Sequence, residues 1–287
     1  MSDAKLATVF THRRPDETHA ALEQLIEIAR RAGWTLAFTT DETEKHGLAA
    51  AEGIVRDAPV ARDADLCIAL GGDGTILHGL RAYAGTGVPV FGVNFGEVGF
   101  LATIDPDGLG DGLGRALRGE FDVLTLPGIE VTGGGQTWLA MNDVSLHRKQ
   151  GLRVADLAFD VAEEEVGRVR CDGLVIATPA GSTGYNLANG GPVMAWGVEG
   201  LAVSFIAPHS LTARALVVAP RDPIAVRNRS REEPVDVSID GRPVYELLPE
   251  GGISARFRDG VGALAQTPDA SFYHRLREKF GRLATGG

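Results

Sequence analysis

The sequence predicts an α/β amino-terminal domain, a parallel sheet flanked by helices, joined to a mostly antiparallel β carboxy-terminal domain. Two observations carry this expectation. In the first part of the chain, short apolar runs alternate with stretches whose apolar residues recur at helical spacing, the rhythm of a parallel sheet covered by helices. After about Glu120 the pattern changes to many short β-prone runs separated by turns rich in Gly, Pro and Asp, as in antiparallel sheets. The expected boundaries are residues 1–122 for the α/β domain and 123–267 for the β-rich domain, with a helix over 268–287 returning to the first.

Residues 6–10 read as the first strand. Leu22, Leu25, Ile26 and Ala29 then share one helix face, and Gly33 stops that helix. Residues 34–39, 66–70 and 88–93 are further strands with helical stretches between them. In the second half, strand-like runs cover 121–126, 138–146, 154–161, 166–170, 174–178, 203–207, 216–218, 235–239 and 253–257. Residues 271–283 return to helical spacing, with Phe272, Leu276 and Phe280 on one face. The 38 glycines favour turns and close backbone approaches over a helical bundle.

Composition excludes several classes. The 287-residue chain carries a formal charge of −10 with no lysine or arginine run, which argues against general nucleic-acid binding. Its two cysteines, Cys67 and Cys171, have no ligand-type spacing and make a disulfide framework or structural zinc site improbable. No segment reaches the length of a membrane span and the start of the chain has no leader-like apolar stretch, so a cytoplasmic protein is expected.

Chemistry concentrates first at Gly71-Gly72-Asp73-Gly74-Thr75, which follows the apolar run at 66–70 and can open a helix. Glycines let backbone N–H groups approach a ligand, and helix N-termini attract anions, so such a turn can hold phosphate. An aspartate there repels phosphate, which points to a carboxylate that handles a proton or a metal. The plain alternative is a tight strand-to-helix connection with an N-capping Asp. A second concentration is Asp172-Gly173 leading into Thr178-Pro179-Ala180-Gly181-Ser182-Thr183-Gly184-Tyr185-Asn186, which suits a loop around a polar ligand. Asn142-Asp143 are poor strand formers inside a strand-like run and require a ligand or a turn.

Four separated pieces together resemble the NAD kinase family, the enzymes that phosphorylate NAD to NADP. They are Gly71 through Thr75; Gly92-Val93-Asn94-Phe95-Gly96 with Gly99-Phe100-Leu101; Asn142-Asp143-Val144-Ser145; and Asp172-Gly173 through Tyr185 with Gly190-Gly191-Pro192. Only the first is shared with lipid kinases. The resemblance implies an NAD kinase/diacylglycerol kinase-like fold and transfer of the γ-phosphate of a nucleoside triphosphate (ATP) to the 2′-hydroxyl of the adenosine ribose, with ATP, another nucleoside triphosphate and inorganic polyphosphate all open as donor.

It also implies roles. Asp73 takes the hydroxyl proton, while Gly71, Gly72, Gly74 and Thr75 hold the donor phosphates. Asn142 and Asp143 bind base and ribose, and Asp172 bonds the nicotinamide-side ribose. Thr183, Gly184, Tyr185, Asn186, Leu187 and Ala188 line the dinucleotide pocket, with His78, Arg153, Arg170, Ala180, Ala207 and Arg242 also approaching NAD. Mg²⁺ is expected on the donor phosphates with no protein metal ligand named. A homodimer or homotetramer is the implied assembly.

The chain departs from the family pattern at Asp143, where Glu is usual, and at Ala180, Gly184, Asn186 and Arg242, where Thr, Ala, Ser and Gln are usual. These changes bear on affinity and on NAD against NADH preference. Two rivals are a lipid kinase of the diacylglycerol type, which needs an apolar or basic membrane-facing patch, and an NAD-binding sensor without catalysis, which gains little from Asp73. Glu163-Glu164-Glu165 reads as a solvated turn, Trp34, Trp138 and Trp196 as core, and His147-Arg148-Lys149 as exposed strand-end charge.

Overall fold

The structure is a computed structural model that describes residues 5–97, 99–267 and 271–284. The chain forms two compact units, Met1–Thr125 with Gly262–Gly287, and Leu126–Val261. The first unit contains β1 (Leu6–Thr11), α1 (His19–Ala32), β2 (Thr35–Ala37), α2 (Thr40–His46), β3 (Ile54–Val55), β4 (Leu66–Leu70), α3 (Asp73–Ala82), β5 (Val90–Val93) and α4 (Leu109–Arg118). Its strands are parallel in the order β5-β4-β1-β2-β3. All five residues of β4 are buried, as a strand covered on both faces requires.

Helix α1 turns Ala21, Leu22, Leu25 and Ala29 inward, onto a core that includes Val9, Leu36, Ile68, Phe91 and Leu113. It ends at Gly33 in a left-handed conformation, φ 70°, where a Cβ would add strain. The amide of Gly33 bonds back to the last carbonyls of the helix.

The remaining strands are β6 (Asp122–Gly133), β7 (Gln136–Ala140), β8 (Asp143–Arg148), β9 (Ala155–Val161), β10 (Glu164–Cys171) and β11 (Gly173–Ala177). A short helix, α5 (Tyr185–Ala188), precedes β12 (Leu201–Ile206), β13 (Leu216–Val218), β14 (Ile224–Asn228), β15 (Val235–Ile239), β16 (Arg242–Leu247) and β17 (Gly252–Gln266). In the second unit an antiparallel sheet runs β13-β12-β11-β8-β15-β16. Strands β10, β9, β14 and the start of β17 pair antiparallel in a further sheet, and β6 pairs with β7. The core of this unit joins Val144, Leu146, Leu174, Ile176, Val203, Val235 and Val237 of the first sheet to Leu157, Phe159, Ile224 and Val226 of the other.

Several expectations shift. The run 138–146 is two strands broken at Met141-Asn142, because Asp240 captures the amides of Met141, Asn142 and Asp143 and stops the ladder. Strands β3, β14 and β16 escape the sequence reading, and β6, β10 and β17 run longer than expected. The hairpin between β9 and β10 turns at Ala162 and Glu163, both at positive φ, so Glu164 and Glu165 belong to the strand. Trp138 is half-buried, whereas Trp34 and Trp196 are buried. The last helix, α6, spans Phe272–Ala284 and packs Phe272 and Phe280, both tilted, against Phe100. The expected helical ends at 268–270 and 285–287 lie outside the described residues. Among the described residues, no helix is long and apolar enough to cross a membrane.

Candidate active site

The glycine turn sits between β4 and α3, just past the carboxyl end of a parallel strand, the usual ligand edge of an open α/β sheet. Helix α3 begins at Asp73 with Gly72 as its N-cap, and no side chain caps it. The N-capping reading of Asp73 is therefore corrected. Its half-buried carboxylate reaches instead to the loop after β5, where Oδ2 accepts the Phe100 N–H at 2.9 Å and Oδ1 the Leu101 N–H at 3.0 Å.

Three close approaches make this clasp possible. A Cβ on Gly99 would stand 2.2 Å from Asp73 Oδ1, and one on Gly71 would stand 2.3 Å from Thr75 Oγ1. The backbones of Gly72 and Gly96 pass so closely that a Cβ on Gly96 would lie 3.3 Å from Gly72 Cα. The Gly71 N–H donates to Val93 O and the Phe95 N–H to Gly71 O, locking the turn to β5. Thr75 and Gly74 stand in the first turn of α3, and His78, further along it, packs edge-on against Phe10 at 4.5 Å.

In the second unit, alternation along β8 sorts its side chains. Val144 and Leu146 enter the core, while Asp143, Ser145 and His147 face the other way. Across the ladder on that second face stand Ala177, Val175 and Gly173 of β11, Ser204 of β12, and Ser238 and Asp236 of β15. The face is thus small and polar. From Asp143 to His147 it extends about 13 Å at the usual rise per residue.

The loop 178–191 is bound to this sheet. Thr178 Oγ1 donates to Met141 O at 2.8 Å, and a Cβ on Gly181 would meet Asn142 O at 2.0 Å, so only glycine fits. Thr183 Oγ1 donates to Ala180 O, and Gly184, Tyr185 and Ala188 are exposed while Leu187 is half-buried. Tyr185 stacks on His147, centroids 5.4 Å apart and planes 12° from parallel. The reading of His147 as exposed strand-end charge is corrected: it is half-buried, and burial lowers its pKa against the opposing pull of Asp236.

Asp143 is buried, and burial with the nearby Asp240 carboxylate pushes its carboxyl up to about 7. Asn142 Oδ1 is buried without a hydrogen-bond partner among the described residues. Asp172 lies at the far end of β11, where Arg148 Nε donates to its Oδ1 at 2.5 Å. Ala207, at φ 43°, follows β12 beside it, since the Asp172 N–H bonds Ile206 O.

Other expected positions are less convergent. Asn186 is fully buried and acts as a clip, its Nδ2 donating to Ser182 O at 3.0 Å and Pro192 O at 2.9 Å. Ala180 is buried, Arg242 is exposed at the start of β16, and Arg153 and Arg170 are exposed outside the six-stranded sheet. His147 is the residue that sequence reasoning missed. Its period-2 spacing with Asp143 and Ser145 is the available signal.

Comparisons with known proteins cover both units. The model of the ATP-NAD kinase N-terminal domain matches residues 35–121, and that of the ATP-NAD kinase C-terminal domain matches 141–259. The chain is 34% identical over 280 residues to an NAD kinase of Gemmatimonas aurantiaca, covering 95% of this chain and 94% of that one. It is 36% identical over 238 residues to an NAD kinase of Symbiobacterium thermophilum, covering 81% and 82%. Among solved structures, a yeast NADH kinase complexed with NADH superposes with a TM-score of 0.87 at 22% identity, covering 99% of this chain and 89% of that one. An NAD kinase from Archaeoglobus fulgidus in complex with ATP gives 0.75 at 25% identity, covering 98% and 100%. Two domain models in the expected order and relatives matched along nearly their whole length leave one assignment: the chain belongs to the NAD kinase family.

Proposed function

We propose that the chain transfers the γ-phosphate of ATP to the 2′-hydroxyl of the adenosine ribose of NAD, with Asp73 as the base. The observation that carries the reading is the clasp on Asp73. Two backbone amides fix the carboxylate plane and leave each oxygen a second lone pair for an incoming hydroxyl. Phosphoryl transfer relies on alignment and charge neutralisation, so a carboxylate already fixed in orientation saves ordering at the moment of reaction. The ribose hydroxyl is a poor nucleophile until its proton is accepted as the P–O bond forms.

The donor phosphates are assigned to the turn of Gly71, Gly72, Gly74 and Thr75. The first amides of α3 have no carbonyl partner within the helix and suit an anion. Among the described residues no cluster of three His, Cys, Asp or Glu side chains is arranged to hold a metal. Mg²⁺ is proposed to arrive on the donor phosphates and water, where it would neutralise charge.

The dinucleotide is assigned to the polar face of β8 and its loop. The unpartnered Asn142 Oδ1 suits an exocyclic amine, and a carboxyl at Asp143 with a pKa of about 7 can donate or accept towards ribose hydroxyls. Tyr185 offers an exposed ring for stacking, and Asp172, oriented by Arg148, keeps an oxygen for a second ribose. Residues Thr183, Gly184, Leu187 and Ala188 complete the proposed pocket. The family resemblance supports a homodimer or homotetramer, and a cytoplasmic location is part of the same proposal.

Purified protein given NAD, ATP and Mg²⁺ should yield NADP, read with an NADP-specific dehydrogenase. Asp73→Asn should lower turnover by roughly two to four powers of ten while NAD binding persists. Wild-type turnover in that variant would remove Asp73 from the base role. No NADP from the unaltered protein, with NAD bound, would favour a sensor.

A further inference from the structure

The turn that is assigned the donor phosphates carries one negative charge, Asp73, and no cation between Gly71 and Thr75. A bound triphosphate brings several more negative charges, and phosphoryl transfer needs them neutralised. The topology shows where a cation can come from. Strand β1 lies between β2 and β4, and the chain leaves it towards β2 and β3 before returning to place β4 on the opposite side. The carboxyl ends of β1 and β4 therefore flank the switch point of the sheet, where open α/β sheets bind ligands. Thr11 ends β1 opposite Leu70, and the His12 N–H donates to Leu70 O at 2.8 Å, carrying the pairing one step further. Beyond that bond the two strands release His12-Arg13-Arg14 on one side and Gly71-Gly72-Asp73 on the other.

The base of the first loop is held firmly. The Thr11 N–H donates to Glu42 Oε1 at 3.1 Å, Thr11 Oγ1 donates to Glu42 Oε2 at 2.6 Å, and Lys45 Nζ reaches Thr11 O at 3.2 Å. Two of the loop's three basic side chains are committed. Arg14 pairs with Glu17 at 2.5 Å, and His12 Nδ1 lies 2.9 Å from the same carboxylate. Lys45 is engaged by Glu42 at 2.7 Å. Arg13 is exposed and makes no ion pair among the described residues.

We propose that Arg13 is a donor-binding residue that contacts the β- and γ-phosphates of ATP held at the Gly71–Thr75 turn. The proposal rests on the assignment of the donor to that turn. A guanidinium gives two parallel N–H bonds to phosphate oxygens, which an ammonium cannot match. It supplies from a neighbouring loop of the same chain the positive charge that the turn lacks.

The test uses the full chain. Arg13→Ala should raise the KM for ATP roughly ten- to hundredfold, the worth of a charge-assisted contact, and leave the KM for NAD within about twofold. Arg13→Lys should recover part of the loss. Arg31→Ala, on the exposed face of α1, should leave both constants unchanged and controls for loss of net charge. The dissociation constant of Mg·ATP, measured calorimetrically in Asp73→Asn and in Asp73→Asn with Arg13→Ala, reads the contact without turnover. A weaker constant in the double variant supports the proposal whether or not Asp73 is the base. Equal constants, or a rise confined to the KM for NAD, overturn it.

Discussion

Replacing Asp143 by asparagine should abolish a pH dependence of stability that the buried carboxyl creates. Asp143 is 7% exposed, and burial together with Asp240 pushes its carboxyl from the ordinary 3.8 up to about 7. The contribution to stability is full below the unfolded value, where both states hold the proton. It is lost as pH rises through the folded value, because the unfolded chain has already released its proton and the folded chain must give it up in a buried site. The whole displacement corresponds to ~4 kcal/mol. Between about pH 6 and pH 8 the folded group passes from mostly protonated to mostly ionised while the unfolded group stays ionised, so stability falls by ~1.4 kcal/mol. Urea denaturation of both proteins at the two pH values measures it. The excess stability of the unaltered chain over Asp143→Asn should drop by that amount. His46 and His147, whose pKa values burial lowers, favour the opposite trend, yet both are common to the two proteins and cancel in the difference. A difference flat with pH would refute a neutral buried carboxyl at this position.

Gly99→Ala should force a methyl to within 2.2 Å of Asp73 Oδ1 and expel the carboxylate from its two amides. Turnover should fall roughly a hundredfold, the cost of an ångström-scale misplacement, with NAD affinity little changed. Unaltered kcat in steady-state kinetics would show that the clasp does not orient the reacting carboxylate. His147→Ala should remove the ring stacked on Tyr185, worth about 0.5–1.5 kcal/mol, and raise the KM for NAD roughly three- to tenfold with the KM for ATP unchanged. An unchanged KM for NAD would place that stack outside the pocket.

The glycine turn was legible because its cues are contiguous: an apolar run, three glycines around a carboxylate, and a helix start all lie within a dozen residues. What Asp73 does there was not, since its partners Phe100 and Leu101 lie 27 and 28 residues away. Asn142-Asp143 were legible as misfits in a strand. The cause, capture of their amides by Asp240, is a contact across almost a hundred residues. Asn186 belongs to a run of small polar residues that reads as ligand-lining, and only packing reveals that its Nδ2 also ties the loop together through Ser182 O and Pro192 O. His147 looked like solvated charge because a strand with alternating polar residues is equally consistent with a face open to water. The stacking ring of Tyr185 comes from a loop 38 residues on, too far for local pattern to couple them. The β-rich half lost two strands, β14 and β16, whose polar residues interrupt the apolar signal.

Strand β8 serves two masters with one alternating row: Val144 and Leu146 on one face, Asp143, Ser145 and His147 on the other. Sliding it by a single position against β11 or β15 would exchange the rows wholesale, sending carboxyl, hydroxyl and imidazole into hydrocarbon. Misaligned chains are therefore penalised twice over, in folding and in recognition. The same greasy side chains that hold the sandwich together thus act as the vernier that aims the polar ones.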